Sequence, residues 1–169
     1  MEKAPNKSPV LKVDDPRLQR FSIFAGLGAD ELASLLGLTD IVEIPAGALI
    51  VQAGEPGHCL YVLLEGRAKV TVDADGRVIE LAVIESGDFF GEVSLVDDGL
   101  RSANVTAVDP CVLLRITRMT IGVLGGLQPA AAIQILGAIG KALVSRLRAS
   151  NQKYLDILLD KPRQDEEIS

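Results

Sequence analysis

The sequence predicts a mainly β fold, an antiparallel sandwich or jelly roll, with helices before and after it in the chain. Between about residues 39 and 118, apolar residues fall in short runs rich in β-branched side chains, separated by turns of glycine, proline and aspartate. On both sides of this region, apolar residues recur at intervals of three and four, which is typical of helices. We therefore predict a jelly roll over about 39–118, with C-terminal helices over about 119–160.

The N-terminal part of the chain is predicted to be a loose tail followed by a helical segment. Residues 1–15 are rich in proline, lysine and aspartate, which is typical of a flexible terminus. From Asp15 onward the sequence is predicted to be helical, because Phe21, Phe24 and Leu27 recur at a spacing of three. Gly26 and Gly28 would divide this helix into two pieces.

Seven runs in the central region are predicted to be strands, with room for an eighth. Tight glycine turns separate them every eight to twelve residues, as in antiparallel sandwiches and jelly rolls. Asp75-Gly76 is the dipeptide that a two-residue hairpin turn favours. The runs are DIVEI, ALIVQ, CLYVLLEG, AKVTVDA, RVIELAVI, ANVTAV and CVLLRI.

The C-terminal region is predicted to form a short glycine-broken helix and then one long helix. The long helix would extend from Gln128 to Asp160, with Pro129 in its first turn. An apolar stripe along it could form the seam of a homodimer, and the alternative is that the stripe packs on the barrel. The stripe consists of Leu136, Gly140, Leu143, Leu147, Ser150, Tyr154 and Ile157. Residues 161–169 would be a polar tail.

Composition excludes some functions and indicates a compartment. A net charge of −6 argues against a general nucleic-acid binder, which would need a basic face. Cys59 and Cys111 lie in apolar runs, and we expect them to be free thiols in a reducing cytoplasm, with a disulfide between them as the alternative. The N-terminus lacks the apolar region of a signal peptide, and we find no run of 18 apolar residues. We therefore expect a cytoplasmic protein without membrane insertion.

The segment GDFFGEVSLVDDGLRSANV interrupts the strands with groups that could bind a sugar phosphate. Gly91 permits an unusual backbone conformation. Residues 92–95 could then form one helical turn whose amides make an anion-binding nest. Arg101 opens the next strand, and arginine suits bidentate recognition of phosphate. The carboxylate of Glu92 would accept a hydrogen bond from a neighbouring hydroxyl group.

These features resemble the cyclic nucleotide-binding domain of the bacterial catabolite activator protein, of cyclic-nucleotide-dependent kinases and of cyclic-nucleotide-gated channels. FSIFAGLGADELASLL resembles the N-terminal helix of bacterial members. IPAGALIVQAGEPGHCLYVLLEGRAKV carries the glycine spacing of the family, and FGEVSL with RSA resembles its phosphate-binding cassette. The resemblance extends from about Phe21 to Leu158 and implies a single domain of this type over residues 16–160.

The resemblance also implies roles for individual residues. In the family the cassette glutamate holds the ribose 2′-hydroxyl and the cassette arginine pairs with the cyclic phosphate, and here these are Glu92 and Arg101. The remaining ligand contacts that it implies are Gly91, Val93, Ser102 and Ala103 in the cassette, and Ser150 and Asn151 against the base. Many cassettes have proline before the arginine, where this chain has Leu100.

We therefore expect a regulatory protein that binds a cyclic nucleotide and signals through its C-terminal helix to a protein partner. The bacterial resemblance favours cAMP over cGMP, whereas the hydroxyl of Ser102 could reach the phosphate or a guanine amino group. The helix-turn-helix of bacterial relatives would need some 60 further residues beyond Leu159, so we expect no DNA binding. No cofactor or metal is expected.

Three alternatives are weaker. An enzyme of the metal-binding jelly-roll type needs several histidines, and His58 is the one histidine of the sequence. No P-loop is present either, so we expect no enzymatic activity. A haem or redox sensor is disfavoured by the same single histidine and by the lack of an N-terminal cysteine cluster. The main alternative is a dimerising adaptor with a degenerate site and no ligand.

Overall fold

The computed structural model describes residues 11–159, which form eight strands and four α-helices. The strands are β1 (Asp40–Ile44), β2 (Leu49–Val51), β3 (Cys59–Glu65), β4 (Ala68–Ala74), β5 (Arg77–Ile84), β6 (Phe89–Phe90), β7 (Asn104–Ala107) and β8 (Cys111–Thr117). The helices are α1 (Ala29–Gly37), α2 (Val93–Val96), α3 (Arg118–Leu127) and α4 (Pro129–Leu159), and a 3-10 turn covers Leu18–Arg20. Residues 1–10 of the predicted N-terminal tail and the predicted polar tail at 161–169 lie outside the described residues.

The strands form two four-stranded antiparallel sheets, which confirms the predicted jelly roll. One sheet has the order β1-β8-β3-β6 and the other has the order β2-β7-β4-β5. All seven predicted runs form strands, and Phe89–Phe90 adds the eighth. The Asp75-Gly76 turn joins β4 to β5, and both of its residues have positive φ, 50° and 74°. This is the backbone geometry that a two-residue hairpin requires.

Strand β3 is buried on both faces and therefore divides the core into two clusters. Leu60, Val62 and Leu64 face a cluster that includes residues of α1, α3, α4 and the N-terminal turns. Leu63 faces the second cluster, which lies between the two sheets. Burial on both faces explains why CLYVLLE is an almost continuous apolar run and does not alternate with polar residues.

The N-terminal segment corrects one prediction. The chain before Gly28 forms a series of turns, whereas we predicted an α-helix. Backbone hydrogen bonds link Phe21 to Leu18, Phe24 to Phe21 and Leu27 to Phe24, each spanning three residues. The apolar spacing of three therefore belongs to turns with three residues per repeat and not to an α-helix with 3.6. Leu11 and Val13, which we predicted to lie in the loose tail, pack against the core.

The two C-terminal helices pack on the barrel near their junction and then leave it. Thr117 caps α3 through its hydroxyl, which accepts a hydrogen bond from the Thr120 amide. Helix α3 is continuous through its three glycines, which corrects the predicted break. Helix α4 begins at Pro129 as predicted. Its buried residues lie between Ala131 and Ile139, and every residue from 144 to 159 is exposed.

Helix α4 is long and apolar enough to cross a membrane by length and composition, a property that we did not predict for any segment. It is 31 residues long, and an 18-residue window of it has a mean hydropathy of 1.4. Of this window, 22% is buried against the rest of the domain. One such helix is weak evidence for membrane insertion, because core helices of soluble proteins can be equally long and apolar.

Candidate ligand-binding site

The interruption between β6 and β7 forms a short loop around a single helical turn. Gly91 follows β6 with φ of 80°, a conformation that side chains disfavour. A Cβ at Gly91 would also lie 2.5 Å from Nη1 of Arg101. Glu92 then precedes α2, whose one turn matches the predicted helical turn. The glycine therefore serves both the backbone turn and the close approach of the arginine.

Arg101 lies half-buried in a slot between two glycines. Its Nη1 donates a hydrogen bond to the carbonyl oxygen of Gly91 at 3.0 Å, and its Nη2 donates to that of Cys59 at 2.8 Å. On the other side, a Cβ at Gly57 would lie 2.5 Å from Nε of Arg101. A guanidinium carries five N–H donors, so the two carbonyl groups leave donors for an anion. The slot fixes where that anion would bind.

Glu92 is buried, with 5% of its surface exposed, and it pairs with an arginine that we did not predict. Oε1 of Glu92 accepts a hydrogen bond from Nη1 of Arg146, on α4. Nη2 of Arg146 donates to the carbonyl oxygen of Phe89 at 2.5 Å, and the guanidinium lies 5.4 Å from the centre of the Phe89 ring. A buried carboxylate needs such a partner, because an unpaired buried charge is strongly destabilising.

One cavity of about 190 Å³ brings most of the predicted site residues together. Its lining includes all six cassette residues that we predicted, namely Gly91, Glu92, Val93, Arg101, Ser102 and Ala103. Arg146 and Ser94 add polar groups, and the apolar part of the lining is Val51, Val70, Phe90, Leu100 and Val105. The cavity therefore combines a cation, a buried carboxylate and an apolar wall.

The structure does not bring Ser150 and Asn151 to this cavity. Both residues are exposed on α4, beyond the point where the helix leaves the barrel. Arg146 is one turn before Ser150 and is the residue of this helix that lines the cavity. The sequence contained a signal for it, because Arg146 belongs to the same RLRASNQKY stretch and is four residues before Ser150, on the same face of a helix.

Tyr61 supports the cavity wall from the neighbouring strand. Its ring stacks on that of Phe90, with 5.5 Å between the ring centres. Burial raises the pKa of Tyr61 to about 12, and a hydrogen bond with the Cys59 side chain contributes further. The raised pKa keeps the phenol neutral up to a more alkaline pH than usual, so Tyr61 brings no negative charge near Arg101 over a wider pH range.

Comparisons with known proteins relate this chain to cyclic nucleotide-binding domains. A family model described as cyclic nucleotide-binding domain matches residues 41–123. The CRP-like cAMP-activated global transcriptional regulator of Mycobacterium tuberculosis is 30% identical over 145 residues, which cover 85% of this chain and 63% of the regulator. The N-terminal domain of a transcriptional regulator from Streptomyces coelicolor superposes with a TM-score of 0.68 at 30% identity, covering 89% of this chain and 99% of that domain.

A whole regulator gives a similar match. The catabolite activator protein of Thermus thermophilus superposes with a TM-score of 0.71 at 30% identity, covering 81% of this chain and 62% of that protein. The present chain thus spans less than two thirds of the length of both full regulators.

Proposed function

Because this chain belongs to the cyclic nucleotide-binding domain family, related to the catabolite activator protein, we propose that it is a sensor that binds cAMP in the cavity between Arg101 and Glu92. One observation carries the proposal. A half-buried guanidinium and a buried carboxylate line the same small cavity, as recognition of a phosphate beside a hydroxyl group requires. The proposed role is binding, without a catalytic step.

Arg101 would supply the charge for the cyclic phosphate. A cyclic nucleotide carries one negative charge, so one arginine suffices even in a protein with a net charge of −6. The carbonyl groups of Gly91 and Cys59 already hold the guanidinium in place, so little side-chain entropy would be lost on binding. The backbone amides near Gly91, Val93 and Ala103 and the Ser102 hydroxyl would complete the contacts with the phosphate.

Glu92 would accept a hydrogen bond from the ribose 2′-hydroxyl. Arg146 already pairs with Oε1 of this carboxylate, so the hydroxyl would use Oε2 or displace the arginine. A volume of about 190 Å³ is below the roughly 300 Å³ at the lower end of small-molecule sites. The base would therefore extend from the cavity towards solvent, where Ser150 or Asn151 could reach it only if α4 moved.

We favour cAMP over cGMP because the bacterial regulators that match the longest stretches of this chain are named as cAMP-activated, whereas the cGMP-dependent protein kinases match shorter stretches. The regulator from Mycobacterium tuberculosis is described as cAMP-activated. Ser102 is exposed beside the cavity, and its hydroxyl could contact the phosphate or the amino group of guanine. Because this hydroxyl suits both bases, the proposed preference does not depend on it.

The bound state would reach a partner protein through α4. A ligand shifts an equilibrium only if it binds one conformation better, and Arg146 gives α4 a direct contact with the site. We propose that the protein acts as a homodimer through the exposed stripe of α4, in the cytoplasm. Two free cysteines agree with a reducing compartment.

Isothermal titration of the full chain with cAMP and with cGMP tests the proposal. We expect saturable one-site binding, tighter for cAMP. Arg101→Ala should weaken it by about 30-fold to several thousand-fold, since loss of a buried charge pair costs about 2–5 kcal/mol. Arg67→Ala is the matched control, because it removes an exposed arginine–aspartate pair outside the cavity. Absence of binding of either nucleotide to the folded chain would contradict the proposal.

A second candidate function is a dimerising adaptor that binds no ligand. It draws on one observation, that the polar groups of the site already satisfy each other. Arg146 pairs with Glu92, and Arg101 donates to two main-chain carbonyl groups. The same titration separates the two candidates, because the adaptor would give no heat and no thermal stabilisation with either nucleotide.

A further inference from the structure

Helix α2 is too short to be stable without support from its neighbours. It has four residues, Val93–Val96, and nucleation of a single helical turn is unfavourable. Its last carbonyl groups have no partner within the helix, as at every helix end. The backbone next to the ligand cavity therefore depends on groups outside α2.

Arg118, the first residue of α3, supplies this support at the C-terminal end of α2. Its Nε and Nη2 donate hydrogen bonds to the carbonyl oxygen of Ser94 at 2.9 and 2.7 Å. Nη2 also donates to the carbonyl oxygen of Asp97 at 2.7 Å, and Nη1 pairs with the carboxylate of Asp98. A cation at a helix C-terminus is favourable for the helix dipole as well.

The other end of α2 is held by the second C-terminal helix. Glu92 precedes α2 and pairs with Arg146 of α4. Each end of the turn is thus bound by an arginine, one from α3 and one from α4. Of the two, Arg146 lines the cavity and Arg118 does not. Arg118 would therefore act on the ligand indirectly, through α2 and the loop that follows it towards Arg101.

We propose that Arg118 is a positioning residue of the nucleotide site, which holds α2 in its binding conformation and couples it to α3. This inference rests on the proposed function. Without the guanidinium, the carbonyl groups of Ser94 and Asp97 lose their partner and the turn frays. The backbone of Gly91 and Val93 and the carboxylate of Glu92 then no longer present one fixed arrangement to the ligand.

The bonds to the carbonyl groups, and not the ion pair, carry this role. Asp98 is exposed, with 90% of its side chain accessible, and exposed ion pairs contribute little. The Ser94 carbonyl, in contrast, belongs to a buried residue.

The test measures cAMP affinity and the response of α3 in the full chain. We expect Arg118→Gln to weaken cAMP binding roughly tenfold, in line with loss of a charged cap. In NMR spectra of the wild type, the amide resonances of α3 should shift when cAMP is added. In Arg118→Gln at saturating cAMP, cassette resonances should still shift while those of α3 respond much less, which a general loss of stability would not produce.

Two further variants keep the test decisive. Arg118→Lys retains the charge, but its single ammonium group cannot cover both carbonyl groups and Asp98, so we expect a smaller loss of affinity, roughly threefold. This variant also serves if Arg118→Gln does not fold. Asp98→Asn should stay within about twofold of the wild type.

The outcomes separate the two proposals. Wild-type affinity and an unchanged α3 response in both Arg118 variants would overturn the role of Arg118 and leave the proposed function standing. An Asp98→Asn loss as large as that of Arg118→Gln would overturn the role of the carbonyl bonds. If the wild type itself bound neither cAMP nor cGMP, the proposed function would fail first.

Discussion

At the scale of single residues, the position of Arg101 depends on the absence of a side chain at two neighbouring glycines. Gly57 and Gly91 flank its guanidinium, and a Cβ on either would lie 2.5 Å from one of its nitrogens. Gly57 is buried and adopts no positive φ, so the backbone alone does not require glycine there. The requirement at Gly57 is therefore one of space for Arg101 and for the hydroxyl of Ser94.

Gly57→Ala is expected to weaken cAMP binding about tenfold or more, which corresponds to about 1.4 kcal/mol. The added methyl group would displace Arg101 from its slot, and overpacking should lower the free energy of unfolding by about 1–3 kcal/mol. Titration calorimetry and urea unfolding measure the two effects. Gly37→Ala is the control, because a Cβ at Gly37 meets nothing within 4 Å. Unchanged affinity in a folded Gly57→Ala protein would contradict the slot.

The cassette residues could be predicted from sequence because they are close together in the chain. Gly91, Glu92 and Arg101 lie within eleven positions of one another. A glycine, an acid and an arginine at this spacing already indicate a site for a phosphate beside a hydroxyl group. Ser150 and Arg146 could not be separated in the same way. Which turn of a long helix meets a site depends on where the helix leaves the barrel, and local sequence does not contain that information.

At the scale of secondary structure, β3 and β6 join the barrel core to the site. Tyr61 pairs with Phe90 across the two strands, and the rings stack.

The strands could be predicted because turn residues mark their ends, whereas the prediction of an α-helix in the N-terminal segment was wrong. A spacing of three fits both a distorted helix and successive turns, and packing of Phe21 and Phe24 into the core decides between them.

The raised pKa of Tyr61 predicts a loss of stability at alkaline pH. In the unfolded chain the phenol ionises near its usual pKa of 10.0, and in the folded chain near about 12. Below pH 10 the phenol is neutral in both states. Between these values the unfolded state loses the proton first, so stability falls as pH rises.

Urea unfolding of the wild type and of Tyr61→Phe over this pH range measures the effect. The difference in unfolding free energy between the two proteins should shrink or reverse as pH rises from about 9 to about 12. Near-ultraviolet absorbance should place the tyrosinate midpoint of Tyr61 near 12, with Tyr61→Phe as the reference. A midpoint at the usual value of 10.0 would contradict the buried, hydrogen-bonded phenol.

At the scale of the whole molecule, much of α4 has no partner within the chain. Leu147 is 61% exposed, and Tyr154 and Ile157 of the same stripe are equally open. Leu143 packs against the core, but Leu136, earlier in the same stripe, is exposed, so the barrel covers only the middle of the stripe. The spacing of three and four residues predicts the stripe. Whether the stripe contacts the barrel or solvent depends on the size of the barrel.

Leu147→Glu is expected to convert a homodimer into a monomer, because a charge at the centre of an apolar helix seam is unfavourable. Sedimentation analysis at micromolar concentration measures the change. Met119→Glu is the control, because Met119 is exposed on α3 and lies outside the stripe. A wild type that sediments as a monomer, with or without cAMP, would contradict the proposed seam.

A crystal structure of the full chain grown with saturating cAMP tests the central claim most directly. We predict that the cyclic phosphate lies within hydrogen-bonding distance of Arg101 and that a ribose hydroxyl donates to the carboxylate of Glu92. The contact between Arg146 and Glu92 should be shared with the ligand or broken. A nucleotide bound elsewhere, or a cavity without nucleotide in which Arg146 still pairs with Glu92, would contradict the account.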